Sequence, residues 1–199
     1  MKRLHRKDLY GWSTFHAPLD LDFNSVLWVR EGGNVAIDPL PLSEHDLAHV
    51  QKLGGVAQIV ITNSAHLRGA VELQKATGAQ LIGPSGEREK LTCDRYVTDG
   101  ESVVPGLVVR VLDGSKTPGE LALVLDEGTL ITGDLVRGHR ADALNLLPAE
   151  KLSNKAAAIA SLRRLLEVHP HIGAILVGDG WCLFREGHRR LGELLDAEA

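Results

Sequence analysis

Strand and helix signals alternate at both ends of this chain, and a run of hairpin signals interrupts them in the middle. That order restricts the fold more than any other feature of the sequence. Residues 23–29 and 35–37 read as strands around the turn Glu31-Gly32-Gly33-Asn34. Ser43, with Asp46 after it, caps a helix that carries Leu47, Val50 and Leu53 on one side and ends at Gly54-Gly55. Residues 58–61 and 80–82 are short buried strands, separated by a helix that Asn63 or Ser64 can cap and Gly78 stops. The middle is different. Asp99-Gly100, Pro105-Gly106 and Glu127-Gly128 punctuate strand-like runs at 102–104, 107–112, 121–125 and 129–131. A loop is expected over 135–148, then an amphipathic helix over 155–168, a buried strand over 174–177 and a last helix over 185–195. The expectation is an α/β protein forming one domain over 1–199, an αββα four-layer sandwich of two mixed sheets with helices outside.

Composition sets limits on function. At 199 residues and 44% hydrophobic the chain can bury a full core, and with 4% aromatics that core must be aliphatic. A net charge of -4 argues against a nucleic-acid surface. The basic start (Lys2, Arg3, His5, Arg6, Lys7) is followed by no apolar run and reads as an exposed segment, not a secretory signal. No stretch approaches the roughly 18 apolar residues of a membrane span. Cys93 and Cys182 fit no metal or disulfide pattern, as expected of inert thiols in a cytoplasmic protein.

The chemistry-bearing residues gather where apolar runs end. Ile59-Val60-Ile61 leads into Thr62-Asn63-Ser64-Ala65-His66-Leu67-Arg68-Gly69, and Leu112 leads into Asp113-Gly114-Ser115-Lys116-Thr117-Pro118-Gly119-Glu120. Leu130-Ile131 leads into Thr132-Gly133-Asp134, and Ile175-Leu176-Val177 into Gly178-Asp179-Gly180. In order and spacing these loops resemble the metallo-β-lactamase superfamily, and more closely its glyoxalase-II-like branch. The likeness runs from about Asn24 to Leu195, and Thr117-Pro118-Gly119 followed by strand, turn and Thr-Gly-Asp is its most specific part. By that resemblance Asp38 ends the early strand and supports the metal ligands from behind.

The resemblance implies a histidine-rich site holding two metals that generate a hydroxide nucleophile. The ligand positions here read Asn63, Ala65, Leu67 and Arg68 after the first strand, Lys116 before Thr-Pro-Gly, Asp134, and Asp179 where the family has its last histidine. Only Asp134 matches. Ala and Leu offer no donor atom, and Lys and Arg repel a cation. Removing metals would strand a carboxylate, and two fixed cations would neutralise it again. Arg68 and Lys116 are therefore expected to replace the metals electrostatically and to form one network with Asp134 and Asp179; the alternative is that both side chains snorkel to solvent at loop ends.

Other readings stay open at this level. His66 is a lone ligand, an acid/base group or an exposed residue on a first helical turn. Ser115 beside Lys116 is a nucleophile with an amine base or two side chains pointing apart. His45 and His49 share a helix face without a third ligand, and His169-Pro170-His171 reads as a solvated turn. Trp181 and Phe184 either wall a pocket or pack under the last helix. The candidate site is thus Asp38, Asn63, Ser64, His66, Arg68, Ser115, Lys116, Asp134 and Asp179, with no resident metal. Its expected role is binding a small anionic ligand or a protein partner. The alternative is a hydrolase using one weakly bound divalent metal or metal-free chemistry.

Overall fold

The computed structural model describes residues 1–198. The first sheet runs in order through β1 (Lys2–Arg3), β2 (Leu9–His16), β3 (Leu21–Trp28), β4 (Val35–Ile37), β5 (Gln58–Val60), β6 (Gln80–Pro84) and β7 (Arg95–Val97). Its early pairs are antiparallel, and β4 to β7 are parallel. The second sheet contains β8 (Ser102–Val104), β9 (Leu107–Leu112), β10 (Glu120–Leu125), β11 (Thr129–Thr132) and β14 (Ala174–Val177). It is antiparallel except where β14 lies parallel to β11. Between those two, β12 (Val136–Arg140) and β13 (Ala143–Leu146) form a separate ribbon. The helices are α1 (Glu44–Lys52), α2 (Ala70–Thr77), α3 (Lys155–Val168) and α4 (Gly187–Ala197).

Period-2 alternation builds the layers. Along β10, Leu121, Leu123 and Leu125 face the first sheet and pack with Ile37, Val60 and Val109. Ala122 and Val124 point the other way, onto Leu162 of α3 and Leu191 of α4. On the first sheet, Ile59, Ile61 and Leu81 pack outward against Val50 of α1 and Leu73 of α2. Three aliphatic cores separate four layers, which is the αββα sandwich. Ser43 caps α1 by accepting from the Asp46 N–H, and Gly78 ends α2 at φ 72°.

Three expectations need correction. The basic start is exposed as expected at Lys2, Arg3, His5 and Lys7, but Lys2–Arg3 is also an edge strand on β2, which went unread because Trp12 and Phe15 face opposite sides and mask its alternation. The expected loop over 135–148 is the β12–β13 ribbon, which the sequence hides because Gly138 and the turn around Asp142 break its pattern. His169 is no solvated turn residue: it is 8% exposed and accepts from Arg110 Nε at 2.9 Å.

Parallel pairing of β4 with β5 and of β11 with β14 brings their C-terminal ends to one rim of the sandwich. Gly133 lets the two sheets close there, since a Cβ on it would lie 2.5 Å from Thr62 Oγ1 and 2.9 Å from Asn63 Nδ2.

Candidate functional site

Asp38 leaves β4 in the left-handed region, at φ 46°, which turns its carboxylate back over the end of β5. One oxygen accepts the Thr62 N–H at 2.7 Å; the other meets Thr62 Oγ1 at 2.6 Å and His66 Nδ1 at 2.7 Å. Ser25 ties down the Asp38 carbonyl from β3 at 2.7 Å. Asn63 caps the short turn Ser64–His66 by accepting from the Ala65 N–H, and that turn points His66 inward. His66 is 2% exposed, so it is not the surface residue that one reading of the sequence allowed.

Above this base sit two carboxylates with cationic partners. Lys116 Nζ lies 2.7 Å from Asp134 Oδ2, which also accepts from Asn63 Nδ2 at 3.0 Å. Asp179 lies between two guanidinium groups, with Arg137 at 2.8 Å on one oxygen and Arg68 at 3.4 Å on the other. Arg68 also donates to the Asn24 carbonyl at 3.0 Å and lies over the Phe23 ring at 5.0 Å. Its backbone φ of 37° is strained for a non-glycine residue, a cost of about 1–3 kcal/mol that its surroundings must hold. Asp134 and Asp179 are 4% and 3% exposed, so these are interior ion pairs, open to solvent chiefly at Lys116 and slightly at Arg68.

The protonation states follow from the contacts. Burial pushes the Asp134 carboxyl up, but bonding and charge from His66, then from Lys116, hold it well below the ordinary carboxylate range. Burial disfavours the His66 imidazolium, yet Asp38 at 2.7 Å and Asp134 at 3.6 Å raise its pKa to about 9. Arg68, 3.0 Å from His66 Nε2, opposes this, and that contact is a hydrogen bond only if the ring is neutral. The upward direction holds, because two carboxylates face the ring and the Arg68 charge is shared with Asp179. Glu120 is fully buried; burial first, then the Asp134 charge, lift its pKa to about 7.

Of the residues singled out from the sequence, Asp38, Asn63, His66, Arg68, Lys116, Asp134 and Asp179 form one connected cluster. Ser64 donates its backbone N–H to Glu87 Oε2 at 3.1 Å, and among the described residues no hydrogen bond links it to the aspartates. Ser115 donates to Glu120 while Lys116 pairs with Asp134, so the two neighbours face different partners and form no nucleophile–base pair. Arg137 and Glu120 were missed. A charged residue opening the otherwise apolar run Glu120–Leu125, and an arginine at a buried strand position after Gly-Asp, were the available signals.

One donor set deserves a chemical test. Single ligand atoms of His66, Asp134 and Asp179 all lie within 4.8 Å of one another, which is metal-site spacing. Each of these groups also faces a cationic side chain, from Arg68, Lys116 or Arg137.

Comparison with known proteins agrees with this architecture. A family model described as the metallo-beta-lactamase superfamily matches residues 1–198. None of the curated proteins matches the chain. The DIM-1 metallo-beta-lactamase structure is similar at TM-score 0.77 and 14% identity, covering 100% of this chain and 97% of that one. A metallo-beta-lactamase from Pontibacter korlensis gives 0.75 at 17%, covering 96% of each chain. FIM-1 from Pseudomonas aeruginosa in its mono-zinc form gives 0.77 at 11%, covering 99% and 95%. At these identities the solved structures speak for the fold alone.

Proposed function

This chain belongs to the metallo-β-lactamase superfamily, and on that premise we propose that it is a non-hydrolytic member whose centre is a metal-free network of ion pairs that binds a small anion. The observation that carries the reading is Lys116 Nζ at 2.7 Å from Asp134 Oδ2. An ammonium at that distance takes the place a bridging ion would need. The remaining donors fit a divalent ion no better. His66 Nε2 faces Arg68, Asp179 is held between Arg137 and Arg68, and Ala65 and Leu67 supply no ligand. A cation placed among these atoms would meet fixed positive charges. Without a resident ion, nothing on this rim lowers the pKa of a water to about 7.

Charge supports the anion. With His66 protonated, the cations His66, Arg68, Lys116 and Arg137 outnumber the carboxylates Asp38, Asp134 and Asp179 by one, an excess that holds while the neighbouring Glu120 keeps its proton below about pH 7. Lys116, with its side chain 31% exposed, is where an anion would enter. Thr117-Pro118-Gly119 favours the glyoxalase-II-like branch, and the free thiols Cys93 and Cys182 suit a reducing cytoplasm.

A second reading, one weakly held divalent ion on His66, Asp134 and Asp179, has their close spacing in its favour. It requires Lys116 and Arg68 to swing out. Metal analysis of untagged protein purified without chelator separates the two. Zinc, iron and manganese together should stay well below one equivalent. Stoichiometric metal that survives gel filtration and disappears in Asp134→Ala would overturn the proposal.

A further inference from the structure

A cavity of about 420 Å³ lies elsewhere, between the β2–β3 hairpin and the segment after Asp179. None of the clustered site residues lines it. The backbone of Gly178–Gly180 separates the two places: Asn24 N donates to the Gly178 carbonyl at 2.8 Å and Gly180 N to the Asp22 carbonyl at 2.7 Å. Gly138 and Gly180 let β12 close against the same strip, since a Cβ on either would fall within 2.1 Å of the other strand's backbone.

The walls of this cavity are unusual for a protein surface. Phe15, Trp181 and Phe184 are 59%, 64% and 51% exposed, and all three line it. Large apolar side chains scattered singly need no explanation, but aromatics grouped around one cavity mark a binding site. The volume is that of a small-molecule site. Asp20 and Asp22 stand at its edge, and neither enters an ion pair among the described residues. Against them stands Lys2, the one lysine or arginine on the lining, while burial, then Arg137, lowers the pKa of the neighbouring His139. Two carboxylates therefore face a single lysine at this edge.

We infer that this aromatic cleft is a second binding site, which takes a small organic cation: an ammonium or quaternary ammonium group on an apolar body. The ring faces attract the cation, Asp20 and Asp22 neutralise it, and the apolar floor of Leu21 and Val26 covers the rest of the ligand. The inference is independent of the proposed anion site, which has the opposite charge preference.

Tryptophan fluorescence tests it. Trp12 and Trp28 are buried, so a ligand in the cleft changes the emission of Trp181 alone. Benzyltrimethylammonium, benzyl alcohol and phenylacetate share one ring and differ in charge. The cation should quench saturably, and bind at least about fivefold more tightly than either congener. Asp20→Asn with Asp22→Asn should weaken it about fivefold, and Trp181→Leu should abolish the quench, with circular dichroism unchanged in both. Lys116→Ala should leave cation binding as it was. Equal binding of the three probes, preference for phenylacetate, no saturable quench, or full affinity in the double asparagine variant would each overturn the inference.

Discussion

Lys116 Nζ lies 2.7 Å from Asp134 Oδ2, and the two residues come from different loops of the second sheet, one after β9 and one after β11. Asp134 is buried, so removing its partner leaves a desolvated carboxylate that Asn63 and His66 only partly satisfy. Lys116→Ala should destabilise the fold by about 1–3 kcal/mol, discounted because the lysine is partly solvated. Lys116→Ala with Asp134→Asn should recover part of the loss. A double-mutant cycle by urea denaturation measures the coupling, and strict additivity would show that the pair contributes nothing.

Asp179 depends more on Arg137 than on Arg68, because the Arg137 contact is shorter and more buried. Arg137→Met should cost about 3 kcal/mol, and Arg68→Met less. Arg137→Lys should restore little, since a lysine lacks the planar fork. Equal losses for the two methionine variants would contradict this ranking.

Stability should fall as pH rises from mildly acidic to alkaline. The His66 pKa is raised from 6.5 to about 9, so its contribution is complete below 6.5 and is lost as pH climbs towards 9. The Glu120 pKa is raised from 4.5 to about 7, so the folded protein keeps a proton that the unfolded chain releases, and stability declines between those values. Each kcal/mol lost lowers the Tm by about 2–4 °C in a chain of this size. Glu120→Gln should flatten the lower part of the curve and leave the upper part. Asp134, held low, adds a separate loss as pH falls below 3.8. A Tm that rises between pH 6.5 and 9 would contradict the His66 assignment.

Hydrolysis of β-lactams, thioesters and phosphodiesters should stay at background. Ser115→Ala should change nothing catalytic and should cost about 1–3 kcal/mol, because Glu120 loses a buried donor. Robust turnover that resists chelator and vanishes in Ser115→Ala would revive the serine–lysine mechanism.

Gly138→Ala should damage the fold more than an ordinary surface glycine change. Its Cβ would lie 2.0 Å from the Trp181 carbonyl, and backbone cannot yield as a flexible side chain can. The expected loss is about 1–3 kcal/mol or more, read by urea denaturation.

The helices, the strands β3 to β6, β8 to β11 and β14, the Ser43 cap, the Gly78 stop and the four strand ends were legible in the sequence, because local periodicity and turn chemistry write them directly. So was the absence of donor atoms at Ala65 and Leu67, since side-chain chemistry needs no coordinates. The ribbon of β12 and β13 was not legible, because a short irregular hairpin has too few alternating positions to stand out. Arg137 and Glu120 stayed hidden for another reason. A charged residue in a strand reads as solvent-facing until some distant group is seen to receive it. Only folding places Arg137 against Asp179, 42 positions away, and Lys116 against Asp134. The sequence alone therefore determined which strand-end positions, Ala65 and Leu67, carry no donor atom. The tertiary structure decided which cations took up the carboxylates and gathered Phe15, Trp181 and Phe184 around one cleft, because both depend on long-range packing of strand ends.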